Sequence, residues 1–247
     1  MPTTTTIASS LNPSVAGQSV SLTATVTGNA PTGSVLFRDG ATTIAGCSAV
    51  ALTGSGNART AVCTSSALAT GTRSITANYG GNASNAASTS SALAQVVKSV
   101  TTTALVSSAN PSTVGQSVTF TATVTGTNPT GNVAFRDGAS NLCAAVALTG
   151  SGNSRTAACS TSALAQGTRS ISAVYAGDAA NATSTSTTLS QTVNAAGGGS
   201  SVNVARASNG GTASASSSAA GYSPAALING ELAGANWSSG GGWKDGT

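Results

Sequence analysis

The sequence predicts an all-β chain carrying two tandem β-sandwiches, and three observations lead there. The stretch Cys47–Cys63, CSAVALTGSGNARTAVC, returns almost unchanged as Cys143–Cys159, CAAVALTGSGNSRTAAC. The repeat so defined is about 97 residues long, the size of an independent domain and far longer than a solenoid unit. Short apolar runs alternate with Thr and Ser throughout, and charged residues make up only 6% of the chain, so helix formers are scarce.

The strands of the first repeat follow in order. Thr3–Ser9 supplies a first strand. Val20, Leu22, Ala24 and Val26 alternate with Ser and Thr, the signature of a half-buried strand. Val35 and Phe37 begin the next alternation, which ends in the turn Asp39-Gly40. Cys47–Leu52 and Ala58–Cys63 read as a hairpin around Thr53-Gly54-Ser55-Gly56-Asn57. Ile75, Ala77 and Tyr79 alternate again, and Leu93, Gln95 and Val97 close the set. About seven short strands in about 97 residues is the pattern of an Ig-like β-sandwich. Aromatics are few, so aliphatic packing is expected to carry most of each core.

The second repeat is read by offset. Asn12-Pro13-Ser14 through Phe37-Arg38-Asp39-Gly40 recurs 98 residues later, at Asn110-Pro111-Ser112 through Phe135-Arg136-Asp137-Gly138. From the cysteines onward the offset is 96, so two residues are lost between Gly138 and Cys143, which marks a loop or edge segment. The expected boundaries are 1–98 and 99–194 for the repeats, 195–201 for a Gly/Ser linker, and 202–247 for a different domain. That last stretch holds Trp237 and Trp243. It is too short and too poor in aliphatics to fold alone, and reads as the front of a truncated domain.

The formal net charge of +4 comes from scattered residues rather than a basic stripe. Residues 1–98 carry Arg38, Arg59, Arg73 and Lys98 against Asp39; residues 99–194 carry Arg136, Arg155 and Arg169 against Asp137 and Asp178. A nucleic-acid footprint needs clustered cations and stacking aromatics, so no nucleic acid is expected. No apolar run approaches the ~18 residues of a membrane span. Met1-Pro2-Thr3 leads straight into repeat sequence without the regions of a signal peptide, which for a secreted protein makes this a mature fragment.

Four cysteines allow three pairings. Reflection about Ser55 places Cys47 opposite Cys63, and reflection about Ser151 places Cys143 opposite Cys159, within disulfide range if the segments form a ladder. Two intra-repeat disulfides are therefore expected, each stapling a hairpin rather than joining two sheets, with free thiols as the alternative. Zinc binding asks for closer ligand clusters and usually histidine, of which there is none. The same absence excludes Ser–His and Cys–His mechanisms, and the five carboxylates are dispersed. No catalytic, cofactor-binding or metal residue is assigned, and no cofactor is expected. Asp39 and Asp137 sit in Arg-Asp-Gly turns, where Asp suits the backbone. Arg59, Arg73, Arg155 and Arg169 either meet an anionic partner or solubilise strand edges and pack their stems over the sheet. Asn82-Ala83-Ser84, Asn181-Ala182-Thr183 and Asn236-Trp237-Ser238 fit the N-glycosylation pattern.

Residues 3–194 resemble the bacterial Ig-like repeat family of large secreted and surface proteins. The resemblance is carried by Thr3-Thr4-Thr5, Asn12-Pro13-Ser14, Gly17-Gln18, Pro31-Thr32-Gly33, Phe37-Arg38-Asp39-Gly40, Leu68, Gly71-Thr72 and Ile75-Thr76-Ala77-Asn78-Tyr79-Gly80-Gly81. Repeat 2 keeps Tyr175-Ala176-Gly177-Asp178 where repeat 1 has Asn82 for the acid. The resemblance implies a seven-stranded sandwich used as a spacer or adhesive module, with no catalytic residues. Residues 202–247 resemble the start of a discoidin-like, galactose-binding-type jelly roll, through Val202-Asn203-Val204-Ala205, Ala213-Ser214-Ala215-Ser216-Ser217, Tyr222-Ser223-Pro224, Ala226-Leu227-Ile228-Asn229-Gly230 and Asn236-Trp237. That second resemblance implies sugar binding on loops at one end of the roll. Asn229 stands where an aspartate is usual, which weakens a calcium assignment.

The expected function is a non-enzymatic extracellular or cell-surface stalk presenting a C-terminal binding domain. Surface glycans or cell-wall polysaccharide are its expected partners, through that domain. The alternative is the spacer and carbohydrate-binding accessory region of a secreted carbohydrate-active enzyme.

Overall fold

The computed structural model describes residues 1–196, and these are all-β. Repeat 1 runs through β1 (Thr4–Ser9), β2 (Ser14–Val15), β3 (Val20–Thr27), β4 (Ser34–Asp39), β5 (Thr42–Thr43), β6 (Val50–Ala51), β7 (Ala58–Ser65), β8 (Gly71–Tyr79), β9 (Ser88–Thr89) and β10 (Leu93–Lys98). Repeat 2 runs through β11 (Thr102–Ser107), β12 (Ser112–Thr113), β13 (Val118–Thr125), β14 (Asn132–Asp137), β15 (Ser140–Ala147), β16 (Ser154–Thr161), β17 (Gly167–Tyr175), β18 (Ser184–Thr185) and β19 (Leu189–Asn194).

Each repeat is two facing sheets. In repeat 1 one sheet has the order β1-β3-β7; the other has β2-β10-β8-β4, with β5 and β6 on the outer edge of β4 and β9 on the end of β8. In repeat 2 the corresponding orders are β11-β13-β16 and β12-β19-β17-β14-β15, with β18 on β17. All pairings among these strands are antiparallel except β2 with β10 and β12 with β19. The strands whose alternation is visible in the sequence are the long ones at the centre of each sheet. On β3 the apolar residues are buried at every second position, with Ser and Thr between them. A two-residue strand carries no alternation, and so β2, β5 and β9 were not predicted.

The cores are small and mostly aliphatic. Leu22, Val26, Val35, Phe37, Ile75 and Tyr79 are fully or nearly fully buried in repeat 1, and Phe120, Val124, Val133, Phe135, Ile171 and Tyr175 in repeat 2. All five aromatic side chains of the described residues are therefore inside. One amide is buried with them in each repeat. Gln95 donates from Nε2 to the Leu11 carbonyl at 2.8 Å and the Ser14 hydroxyl at 3.2 Å, tying β10 to the segment between β1 and β2. Gln191 does the same with Ala109 and Ser112.

The two-residue deletion lies in the edge strand. In repeat 2 the chain after Gly138 forms the single eight-residue strand β15 along β14. In repeat 1 the longer segment breaks into β5, a turn and β6, and the turn delivers Ile44 into the core. In repeat 2 Leu142 follows the same register but is only partly buried against the core, and Leu164 is buried where its equivalent, Leu68, is only partly covered.

Candidate functional site

The cysteines are paired as Cys47–Cys63 and Cys143–Cys159, with Cα–Cα distances of 5.7 and 6.1 Å. Their placement corrects the expected hairpin staple. The hairpin is registered on Thr53 opposite Thr60, not about Ser55, so Cys47 and Cys63 are not ladder partners. Beyond that pair the two arms diverge. Val50–Ala51 pairs with β4 in one sheet, while β7 pairs with β3 in the other. Cys63 points inward opposite Leu22, and Cys47 sits in a turn whose carbonyl accepts from Phe37 N–H at 3.0 Å. The disulfide therefore joins the two sheets along the edge where the chain crosses between them. Repeat 2 repeats this, with Cys143 on β15 opposite Phe135 and Cys159 on β16 opposite Phe120.

The recurring arginines divide into two kinds. Arg73 donates from Nε to Asp39 Oδ2 at 2.7 Å, and Arg169 to Asp137 Oδ2 at 2.7 Å. The acid of each Arg-Asp-Gly turn is thus an ion-pair partner, beyond suiting the turn's backbone. The register explains the contact: Asp39 lies opposite Ile75, so Arg73 is its diagonal neighbour on β8. Arg59 and Arg155 lie opposite Val26 and Val124 on the inward side of the edge strands, with Nε buried and without a hydrogen-bond partner.

The most polar cluster lies at the end of repeat 2 that receives the chain from repeat 1. Asp178 Oδ1 accepts from the N–H groups of Ala180 at 2.8 Å and Asn181 at 2.7 Å. Oδ2 accepts from Thr130 N–H at 2.8 Å, the Thr130 hydroxyl at 3.0 Å and the Tyr175 hydroxyl at 3.1 Å. Asn181 is fully buried; its Oδ1 accepts from Thr127 N–H, and its Nδ2 donates to the Thr127 carbonyl and to Asp178. Burial removes Asn181 from the N-glycosylation acceptors that its sequence pattern offers. Repeat 1 keeps the geometry in neutral form: Asn82 Oδ1 accepts from Ser84 and Asn85 N–H, and its Nδ2 donates to the Thr32 hydroxyl at 2.9 Å.

Burial disfavours the Asp178 carboxylate, but the donors from Thr130, Asn181 and Ala180 outweigh it and hold the carboxyl well below the usual range. Tyr175 is pushed up to about 12, by burial first and then by its bond to Asp178. A depressed carboxyl stabilises the fold above its unfolded pKa and loses that contribution as pH falls toward its folded value. Acidification below about pH 4 is therefore expected to weaken repeat 2 through Asp178, a component absent from repeat 1. Asp178→Asn should flatten that acid limb while leaving repeat 2 folded at neutral pH, since Asn82 already serves in repeat 1. Unfolding midpoints of repeat 2 between pH 7 and pH 2 check this; identical limbs in wild type and variant would refute it.

Two open hollows lie on the surface. One of about 420 Å³ is lined by Asn29, Ala30, Thr32, Asn82, Ala83 and Ser84, and one of about 350 Å³ by Met1–Thr4 with Thr27, Gly28, Asn29 and Asn57. Among the described residues there is no group of three or more His, Cys, Asp or Glu side chains that could hold a metal ion. Nor does any helix of the described residues have the length and apolarity to cross a membrane.

Comparison with solved structures gives alignments at low identity. The fibronectin(III)-like modules of Clostridium thermocellum CbhA align at 20% identity and TM-score 0.39, covering 77% of this chain and 94% of that one. The ICAM-5 D1–D4 ectodomain fragment aligns at 18% identity and TM-score 0.46, covering 77% of this chain and 53% of the fragment. The mouse nectin-like molecule 4 ectodomain aligns at 15% identity and TM-score 0.29, covering 78% and 65%. No curated protein matches the chain. The discoidin-like resemblance over 202–247 lies outside the described residues. The model of the bacterial Ig-like domain (group 3) matches residues 6–98 and again 105–194. With two copies spanning most of its length, this chain belongs to the bacterial Ig-like domain family.

Proposed function

We propose that the two repeats are a non-enzymatic extracellular spacer that presents the segment beyond residue 194. The observation that carries this reading is the pair of inter-sheet disulfides in tandem bacterial Ig-like domains. Such bridges persist in oxidising compartments. A small, aliphatic sandwich kept outside the cell gains from a covalent tie across its open edge. Within this reading the boundaries fall at residues 98 and 194, the repeats hold no catalytic group, and recognition is left to 202–247. The repeats expose no aromatic ring among the described residues, and aromatic faces are what sugar rings stack on. The discoidin-like segment carries Tyr222, Trp237 and Trp243, and is proposed to bind surface glycans or cell-wall polysaccharide. The same segment supports a second reading, in which the chain is the accessory region of a secreted carbohydrate-active enzyme.

The test is accessibility on the producing cell. A membrane-impermeant biotin reagent should label the protein on intact cells or in the medium, and alkylation without reductant should leave all four cysteines unmodified. Labelling only after lysis, or four modified cysteines, would defeat the extracellular reading. Pull-down of the full chain on insoluble polysaccharides then separates the two roles. Retention supports a carbohydrate-binding C-terminal segment; its absence across glycans and cell-wall fractions removes it and leaves the spacer.

A further inference from the structure

A single peptide unit connects the two repeats, and its two ends are tied to opposite sides. Lys98 ends β10 in register with Val15, and its carbonyl accepts from Ala16 N–H of repeat 1 at 2.8 Å. Ser99 follows directly. Its N–H donates to the Ala180 carbonyl of repeat 2 at 2.8 Å, and its own carbonyl accepts from Ala182 N–H at 2.9 Å. The Ser99 hydroxyl also bonds to the Thr127 hydroxyl at 2.9 Å. Between the carbonyl held by one repeat and the N–H held by the other lies only the amide C–N bond, which does not rotate freely. A linker of several residues would place two soft torsions per residue at this point.

A side chain closes the same joint. The Lys98 ammonium donates to the Asp178 carbonyl, on the loop that the Asp178 carboxylate draws together. The residues at this contact do not recur at the outer ends. Asn82 stands in repeat 1 where Asp178 stands in repeat 2, and Asn194 ends β19 where Lys98 ends β10. The ammonium of Lys98 meets a backbone carbonyl oxygen here, while the Asp178 carboxylate is taken up by donors of repeat 2 itself.

We propose that Lys98–Ser99 is a stiff joint, and that the Asp178–Asn181 loop of repeat 2 is the docking surface for the end of a repeat finishing in a basic residue. The pair then moves as one body, with its repeat order written in the lysine that ends repeat 1. This rests on the hydrogen bonds of the joint and goes beyond the spacer reading, which can fail without touching it.

Residual dipolar couplings of backbone amides, measured on the weakly aligned full chain, test the joint. In the wild type the two repeats should report one shared alignment tensor. Inserting Gly-Ser-Gly-Ser between Lys98 and Ser99 should split it into two tensors of different magnitude, while amide shifts away from the joint stay in place and show both repeats folded. Lys98→Glu should produce a smaller split, since the peptide anchors remain and the clasp turns repulsive. Distinct tensors in the wild type, or a shared tensor that survives the insertion, would overturn the stiff joint. An unchanged tensor in Lys98→Glu would overturn the role of the lysine.

Discussion

Replacing Cys47 and Cys63 together by alanine is expected to cost repeat 1 about 3 kcal/mol and lower its thermal midpoint by roughly 12–24 °C. The two cysteines are 16 residues apart, and a loop of that size accounts for the first figure on the chain-entropy model. The geometry adds a reason specific to this fold. β7 is the outer strand of its sheet, and the β5–β6 segment is the outer margin of the facing one. Along that side the backbone closes the sandwich at the Thr53–Thr60 bridge, and the disulfide closes it further up. The paired substitution Cys143→Ala with Cys159→Ala should cost repeat 2 less. Cys143 already sits in a continuous strand opposite Phe135, whereas Cys47 sits in a turn between two strands of two residues each. Denaturant unfolding of the full chain, followed by resolved amide signals of each repeat, measures both losses. A cost under about 1 kcal/mol in repeat 1 would mean that packing alone holds the edge closed. Equal costs would remove the argument from the broken strand.

The fold was legible because its central strands are long enough to show a period. Val20 to Val26 and Ile75 to Tyr79 alternate over several residues, and the structure buries the predicted face of each. What escaped was set by partners distant in sequence. Symmetry of the two cysteines about Ser55 imitates a ladder pair, yet the chain leaves one sheet for the other after Leu52 and shifts the real register to Thr53 and Thr60. Asp39 and Arg73 read separately as a turn residue and a surface cation, because only the pairing of β4 with β8 makes them neighbours. Lys98 reads as a boundary charge, and nothing near it in sequence announces the Asp178 carbonyl 80 residues away. The signal that could have found it was comparative: where Lys98 and Asp178 stand, the other repeat has Asn194 and Asn82.

The same logic makes Asn181 the side chain whose loss should hurt repeat 2 most among its polar groups. Its amide satisfies both the N–H and the carbonyl of Thr127, at 2.8 and 2.9 Å, and a hydrogen bond to Asp178 fixes its orientation. The backbone has been shaped around it. A Cβ at Gly126 would lie 2.5 Å from Asn181 Oδ1, so this position must be glycine for steric reasons although its φ is ordinary. Asn181→Ala leaves two backbone groups of Thr127 without their partners, and an expected cost of about 2–4 kcal/mol follows. Gly126→Ala should push the amide off the same groups and destabilise repeat 2 in the same direction. The loss should reach the joint as well, since the Ala180 and Ala182 groups that hold Ser99 flank Asn181 on both sides. In Asn181→Ala, amide exchange at Ser99 and Ala182 should therefore quicken along with that of repeat 2, while repeat 1 keeps its own protection through Asn85. Protection at Ser99 that survives an unfolding-prone repeat 2 would show that the junction is held from repeat 1 alone.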